Sequence, residues 1–307
     1  MKLSRKEKLV SVIINCYNSE KYLKKTIESV VSQTYKNWEI IFYDNKSNDN
    51  SYQIFKSFND KRLKYFKSKK FESLGVARKN ALKKAKGYYI AYLDSDDLWE
   101  KNKLKIQLKY FNKKEIGFTI SNSIFFNKKN KKYLYPNNKK FNKNVFYDLI
   151  KNYFISFDTV IVKRSSLQKL SHGIDERFDI IHDMDLLIRL SKRYKMNYVP
   201  LPLSMWRMRE DSLSYNSFKK IIKEKKIFIK KINKKFKNDQ KFIENKLYFM
   251  DSLYRQEILY LISKNRYNQA FKIIKKLKIN VKNILLTIII FFPFKKLIFK
   301  KFLNLKY

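Results

Sequence analysis

Three carboxylates, Asp94, Asp96 and Asp97, fall within four residues directly after the short apolar run Tyr88–Leu93. Acids crowded at a strand end raise one another's pKa and cost stability unless a cation neutralises them. The spacing therefore suggests a site for a hard divalent ion. The alternative is a solvated acidic turn leading into a helix near Lys101, where the helix dipole favours acids. Other metal chemistries are excluded by composition. The only cysteine is Cys16, so there is no internal disulfide and no thiolate zinc site, and His172 and His182 are the only histidines. Cys16 itself reads as a small buried hydrophobe.

The elements that must position those acids follow an alternating pattern. Leu9–Asn15 is an apolar run of the kind buried on both sheet faces. Asn18 or Ser19 can cap a helix in which Leu23, Ile27, Val30, Val31 and Thr34 recur at helical spacing. Trp38–Tyr43 is a second strand, followed by the polar turn Asp44–Asp49 and a helix to about Phe58. Leu63–Phe66 is a third strand, Leu74–Ala85 a third helix with Gly87 as its expected stop, and Tyr88–Leu93 a fourth strand. Such alternation implies right-handed crossovers, an α/β class and a mostly parallel sheet whose ligands lie beyond the strand C-termini. Residues 15–18, 44–47 and 94–97 occupy those ends. The first turn, Asn15-Cys16-Tyr17-Asn18, is neither Gly-x-Gly-x-x-Gly nor Gly-Lys-Ser/Thr, and no glycine precedes Gly75. Phosphates would have to be held by a metal and basic side chains.

Six blocks in order resemble those of inverting family 2 glycosyltransferases. They are Val12–Asn18, Ser29–Tyr35, Trp38–Ile41, Asp44 with Ser47 and Asp49, Ala77-Arg78, and Asp94–Asp97. The match is dense over residues 9–110 and thinner to about 214. The resemblance implies a GT-A fold, Rossmann-like, in which a nucleotide-sugar donor, commonly a UDP-sugar, lies across the strand ends with Mn2+ or Mg2+. It implies that Tyr17 stacks on the base and that Asp44 accepts a hydrogen bond from it. Arg78 would lie near the nucleotide or its phosphates. Asp94 and Asp96 would be the DXD pair, touching ribose and metal respectively, with Asp97 in support. At His182-Asp183-Met184-Asp185-Leu186 the family usually reads Glu-Asp-x-Asp-Leu, and the acid matching Asp183 is the general base for the acceptor hydroxyl. The competing readings are a packed Tyr17, a turn-capping Asp44, a solvated Arg78, and a helix-capping Asp183 with Asp185.

Several residues depart from that pattern. His182 replaces the usual Glu. Trp206–Ser214 matches the closing Tyr-Arg-x-His-x-x-Ser-x-Ser block, but with Arg209 at the position of a metal-ligating histidine. A charged guanidinium cannot ligate a metal, so Arg209 would either leave the metal to Asp96, diphosphate and water or bind the diphosphate itself. Asn45-Lys46 stands in place of Asp-Gly, and Lys79 in place of Asn. The intervening chain reads as a helix near Lys101–Phe111, a strand at Gly117–Phe126, a surface loop over 127–144, a strand at Asp158–Val162 and a short helix from Ser165.

The chain has 70 Lys and Arg against 27 Asp and Glu, a formal net charge of +43. Joint enrichment in Lys, Asn, Ile, Phe and Tyr is what an AT-rich genome imposes on a surface, so charge alone does not identify a nucleic-acid binder. Residues 1–215 form the expected GT-A domain, with 1–110 the nucleotide-sugar-binding half and 111–215 the acceptor half. Residues 216–307 form a basic helical appendage, expected to be nearly continuous helix over 218–282 and to pack as a small bundle through Leu247, Leu253, Ile258, Leu259, Ile262 and Phe271. Residues 219–307 carry 25 Lys and Arg against 5 Asp and Glu, which favours an anionic membrane surface as partner. Ile284–Phe294 is too short to span a bilayer and reads as an interfacial anchor or a core helix. Met1–Lys8 has no apolar signal region. These features suggest an enzyme at the cytoplasmic face of a bacterial membrane, acting on a lipid-linked or surface-glycan acceptor. The rival readings are a nucleic-acid-binding protein, which leaves the strand-end acids unexplained, and a catalytically inactive assembly subunit, suggested by His182 and Arg209.

Overall fold

The computed structural model describes residues 7–170 and 173–277. They form two compact units, the first from the described parts of Met1–Phe146 and Phe154–Arg209, the second from Tyr147–Tyr153 and Glu210–Tyr307.

The first unit begins with β1 (Val10–Cys16), α1 (Glu20–Val31), β2 (Trp38–Asp44), α2 (Ser51–Lys56), β3 (Leu63–Lys67), α3 (Leu74–Lys84) and β4 (Tyr89–Tyr92). Every residue of β1 and β2 is buried, as continuous apolar runs in a covered parallel sheet should be. Val12, Ile14 and Cys16 face the stripe Leu23, Ile27 and Val30 of α1 within one core. Each such side chain, fully buried, contributes roughly 1.5–3 kcal/mol. The strands pair in parallel in the order β3-β2-β1-β4. Cys16 lies opposite Asp44, and the Leu93 amide donates to the Ile13 carbonyl at 3.0 Å. This register brings the first, second and fourth strand ends together.

Beyond β4 come β5 (Leu98–Trp99), α4 (Lys103–Gln107), β6 (Ile116–Phe126), β7 (Lys131–Tyr133), α5 (Phe146–Lys151, which from Tyr147 on belongs to the second unit), β8 (Ile161–Lys163), α6 (Arg164–Gln168), α7 (His182–Arg193) and β9 (Lys195–Arg207). The sheet continues from β4 through β8, β6 and β9 to β5, with antiparallel β4–β8, β6–β8 and β5–β9 pairs and a parallel β6–β9 pair. The fold is the expected GT-A arrangement, a curled mixed sheet flanked by helices. Four details differ from the sequence reading. The strand expected over Asp158–Val162 starts only at Ile161, because Thr159 Oγ1 donates to the Ser156 carbonyl at 2.6 Å and closes a short 3-10 turn first. The 127–144 loop contains the small strand β7. Gly87 is not a helix stop; it lets β1 approach, since a Cβ there would lie 2.4 Å from the Ser11 amide nitrogen. Strand β9 was not anticipated, because Pro200 and Pro202 argue against a paired strand. They are accommodated where the β6–β9 register shifts, between the Ser121/Val199 and Asn122/Pro202 pairs.

The second unit holds α8 (Leu213–Asn216), α9 (Phe218–Phe236), α10 (Gln240–Ser263) and α11 (Tyr267–Ile274). The continuous helix expected over 218–282 is thus interrupted within the described residues. Asp239 caps α10 by accepting from the Phe242 amide at 2.9 Å, and Asn265 breaks the chain again with φ 57°. Leu253, Ile258 and Ile262 are buried as expected, whereas Leu247 and Phe271 are exposed. No helix among the described residues is long and apolar enough to cross a membrane. Ile284–Phe294 and His172 lie outside the described residues.

Candidate active site

The acid turn after β4 is clamped from two sides. From α1, Thr26 Oγ1 donates to the carbonyls of Ser95 (3.1 Å) and Asp97 (2.9 Å), while Ser19 and Ser95 share a hydroxyl hydrogen bond at 2.7 Å. From the end of β9, the Arg207 amide donates to Asp97 Oδ1 at 2.8 Å and Arg207 Nε to the Asp96 carbonyl at 2.9 Å. Asp97 is fully buried, and burial with Asp96, Asp158 and Asp94 nearby pushes its carboxyl well above the usual carboxylate range. It is a structural support of the turn.

The other two acids reach solvent, and each meets an arginine. Asp94 pairs with Arg78 Nη2, and Asp96 Oδ2 lies 2.9 Å from Arg209 Nη2. Burial, then the charge of Asp94, raises the Asp96 pKa despite Arg209. Arg78 is not a solvated helix residue. It is buried in α3, its guanidinium lies 4.9 Å from the centre of the Phe157 ring, and its Nη1 donates to His182 Nε2. His182 Nδ1 in turn donates to the Asp179 carbonyl at 2.8 Å, so the imidazole is the neutral Nδ1–H tautomer. One guanidinium therefore joins Asp94 to the first residue of α7. Gly75 permits the close approach: a Cβ there would lie 2.1 Å from the Phe178 carbonyl oxygen.

Asp183 follows His182 in the first turn of α7 and is partly exposed, whereas Asp185 is fully buried and accepts from Arg189 Nε at 2.8 Å. The two acids that the sequence leaves equivalent are thus separated by their surroundings, and Asp183 is the more exposed of the two.

At the opposite end, Tyr17 is half-exposed and meets Phe71 edge-on, with ring centres 4.7 Å apart. Phe71, itself exposed, carries no motif and was not singled out from the sequence. Asp44 is buried. Its Oδ1 accepts from the Ser47 amide (2.8 Å) and its Oδ2 from the Tyr65 hydroxyl (2.6 Å), so the turn-capping role holds, and a base would have to share an oxygen. Tyr65 was also missed, since its strand-interior position reads as packing. Lys46, where the family usually has glycine, has φ 69°, a left-handed conformation. Asn15 is buried with neither side-chain amide atom hydrogen-bonded.

A divalent ion fits this donor set poorly. Among the described residues no group of three or more His, Cys, Asp or Glu is arranged to hold one. An ion on Asp96 would also have to displace Arg209.

The buried His182 makes a testable demand on stability. Burial and Arg78 hold its pKa well below 6.5. The unfolded chain takes up a proton near that pH while the folded chain does not, so stability falls as pH drops through it. Between pH of about 7.5 and about 5.5 the native protein should lose about 1.4 kcal/mol more than His182→Gln. Equal losses in urea unfolding at the two pH values would contradict the assignment.

The fold is a GT-A architecture, and comparison with known proteins gives the family. The sequence pattern described as Glycosyl transferase family 2 matches residues 11–171. The chain is 34% identical over 219 residues to the Escherichia coli protein WfgD, named as a UDP-Glc:alpha-D-GlcNAc-diphosphoundecaprenol beta-1,3-glucosyltransferase, covering 69% of this chain and 82% of WfgD. The structure of Staphylococcus aureus TarS 1-349 with UDP-GlcNAc superposes with a TM-score of 0.63 at 19% identity, over 88% of this chain and 81% of that one. A mannosyltransferase from Pyrobaculum calidifontis, solved with GDP-Man and Mn2+, superposes with a TM-score of 0.56 at 14% identity, over 80% and 71%. The chain belongs to glycosyl transferase family 2.

Proposed function

We propose that the protein transfers one sugar, with inversion, from a nucleotide-diphosphate sugar, a UDP-sugar, to a hydroxyl of a lipid-linked or cell-surface glycan. The observation that carries this reading is the Arg78 bridge, which ties Asp94 at the donor strand ends to the helix bearing Asp183. A base and a donor site held by one rigid side chain suit a displacement in which hydroxyl, anomeric carbon and leaving oxygen must align. Asp183 takes the acceptor proton, the hydroxyl oxygen bonds to the anomeric carbon, and the bond to the diphosphate breaks with its electron pair on the phosphate oxygen. Tyr17 and Asp44 hold the base, and Asp94 the ribose. In the sequence reading, Mn2+ or Mg2+ on Asp96 would stabilise the leaving charge; the ion pair with Arg209 is the feature that weighs against that part.

The basic second unit favours an anionic membrane surface at the cytoplasmic face, with each Lys or Arg near the lipid contributing roughly 1 kcal/mol. The name of WfgD suggests the first acceptor to try. Purified protein with radiolabelled UDP-Glc or UDP-GlcNAc and a GlcNAc-diphosphate lipid should give a product one sugar larger. Neither transfer nor hydrolysis from UDP-, GDP-, CDP- and dTDP-sugars would sink the reading.

A further inference from the structure

We propose that in this protein Arg209 holds the donor's diphosphate and neutralises its leaving charge in place of a divalent ion, with the buried Arg78 adding its positive charge from behind Asp94. The inference rests on the nucleotide-sugar reading above and specifies how that site works. Asp97 is sealed in the interior, so the acid turn offers an entering ligand two carboxylates, Asp94 and Asp96, whose side chains are 40% and 19% exposed. Both already carry a guanidinium. The two arrive from different elements, Arg78 from α3 and Arg209 from two residues beyond β9. A third, Arg207, lies over the Tyr22 ring at 4.4 Å and donates to the Asp96 carbonyl.

The charges decide between a cation and an anion as the next ligand. Two partly exposed carboxylates of the acid turn lie beside three guanidinium groups that stay protonated at any working pH. His182 adds no compensating charge, because the side chain that accepts from Arg78 is a neutral imidazole rather than a carboxylate. A hard divalent ion needs several oxygen ligands and a negative surround. Here it would enter an acid turn whose two carboxylates are already paired with guanidinium groups, and it would have to evict Arg209 from Asp96. A diphosphate finds the complementary sign and planar donors suited to phosphate oxygens. When the bond from the anomeric carbon to the phosphate oxygen breaks, the electron pair and one further unit of negative charge stay on the diphosphate. Arg209 faces that charge without a metal, while the acceptor proton goes to Asp183.

The test is calorimetric titration of the full chain with UDP, and with GDP, CDP and dTDP beside it, in EDTA and in millimolar Mn2+. The native protein should bind one nucleotide with affinities that agree within about threefold in the two conditions. Arg209→His should lose at least about tenfold in EDTA and recover most of it with Mn2+, and Arg209→Lys should keep binding in EDTA. Thermal melts identify a variant that fails to fold, in which case Arg209→Lys and the native protein decide. Native binding abolished by EDTA and restored by Mn2+ would overturn the proposal while leaving the nucleotide-sugar reading intact. No binding of any nucleotide in either condition would overturn both.

Discussion

Asp183→Asn is expected to lower the rate of transfer about 10³-fold while leaving nucleotide binding within about twofold of the native protein. General bases typically contribute 10²–10⁴ to such steps, and an amide cannot take a proton from the acceptor hydroxyl. The substitution is otherwise mild, since asparagine tolerates the first turn of a helix and the dipole contribution of the lost charge is only about 0.3–1 kcal/mol. If Asp183 merely favoured the start of α7, stability would fall slightly and the rate would hold. Asp185→Asn is the control, because that side chain is buried against Arg189 and removing its charge should appear in the unfolding curve first. A rate within tenfold of native for Asp183→Asn would remove the base assignment.

The parts of the site legible in the sequence are those where chemistry and backbone coincide. β1 and β2 are continuous apolar runs ending in polar turns, and a parallel sheet leaves such turns side by side, so residues 15–18, 44–47 and 94–97 could be grouped before any coordinate was known. Asp183 was reached only through the motif around it, since spacing does not distinguish it from Asp185; burial does. Tertiary placement accounts for what was missed. Phe71 and Tyr65 come to lie against Tyr17 and Asp44 through folding alone. β9 was hidden by two prolines that a register shift absorbs. The break at Asp239 in the helical unit follows from a capping side chain that competes with helix continuation, a local choice outweighed in the sequence by the absence of Gly and Pro. Arg78 was reached only through the Ala77-Arg78 block; its burial and its bridge from Asp94 to His182 come from tertiary packing, with Gly75 letting α3 approach the chain at Phe178.

Arg78→Lys should therefore be far from conservative. The native guanidinium uses one terminal nitrogen for Asp94 and the other for His182, with its flat face toward the Phe157 ring. A lysine ammonium is a single point on a flexible stem and cannot serve both partners in that fork geometry. It can follow Asp94, leaving the His182 acceptor without its donor, or follow His182, leaving Asp94 without its cation. Breaking a hydrogen bond to a charged group costs about 1.5–3 kcal/mol, and an unsatisfied buried partner costs about 1–3 kcal/mol. If about 2.7 kcal/mol of this falls on the transition state, kcat/KM drops about 10²-fold. The loss should be divided: KM for the donor rises through Asp94, and kcat falls because α7 no longer holds Asp183 against the donor. A purely structural arginine would instead lower the melting temperature and leave both constants of the folded fraction unchanged. Donor KM and kcat for Arg78→Lys both within threefold of native would show that the bridge plays no part in transfer.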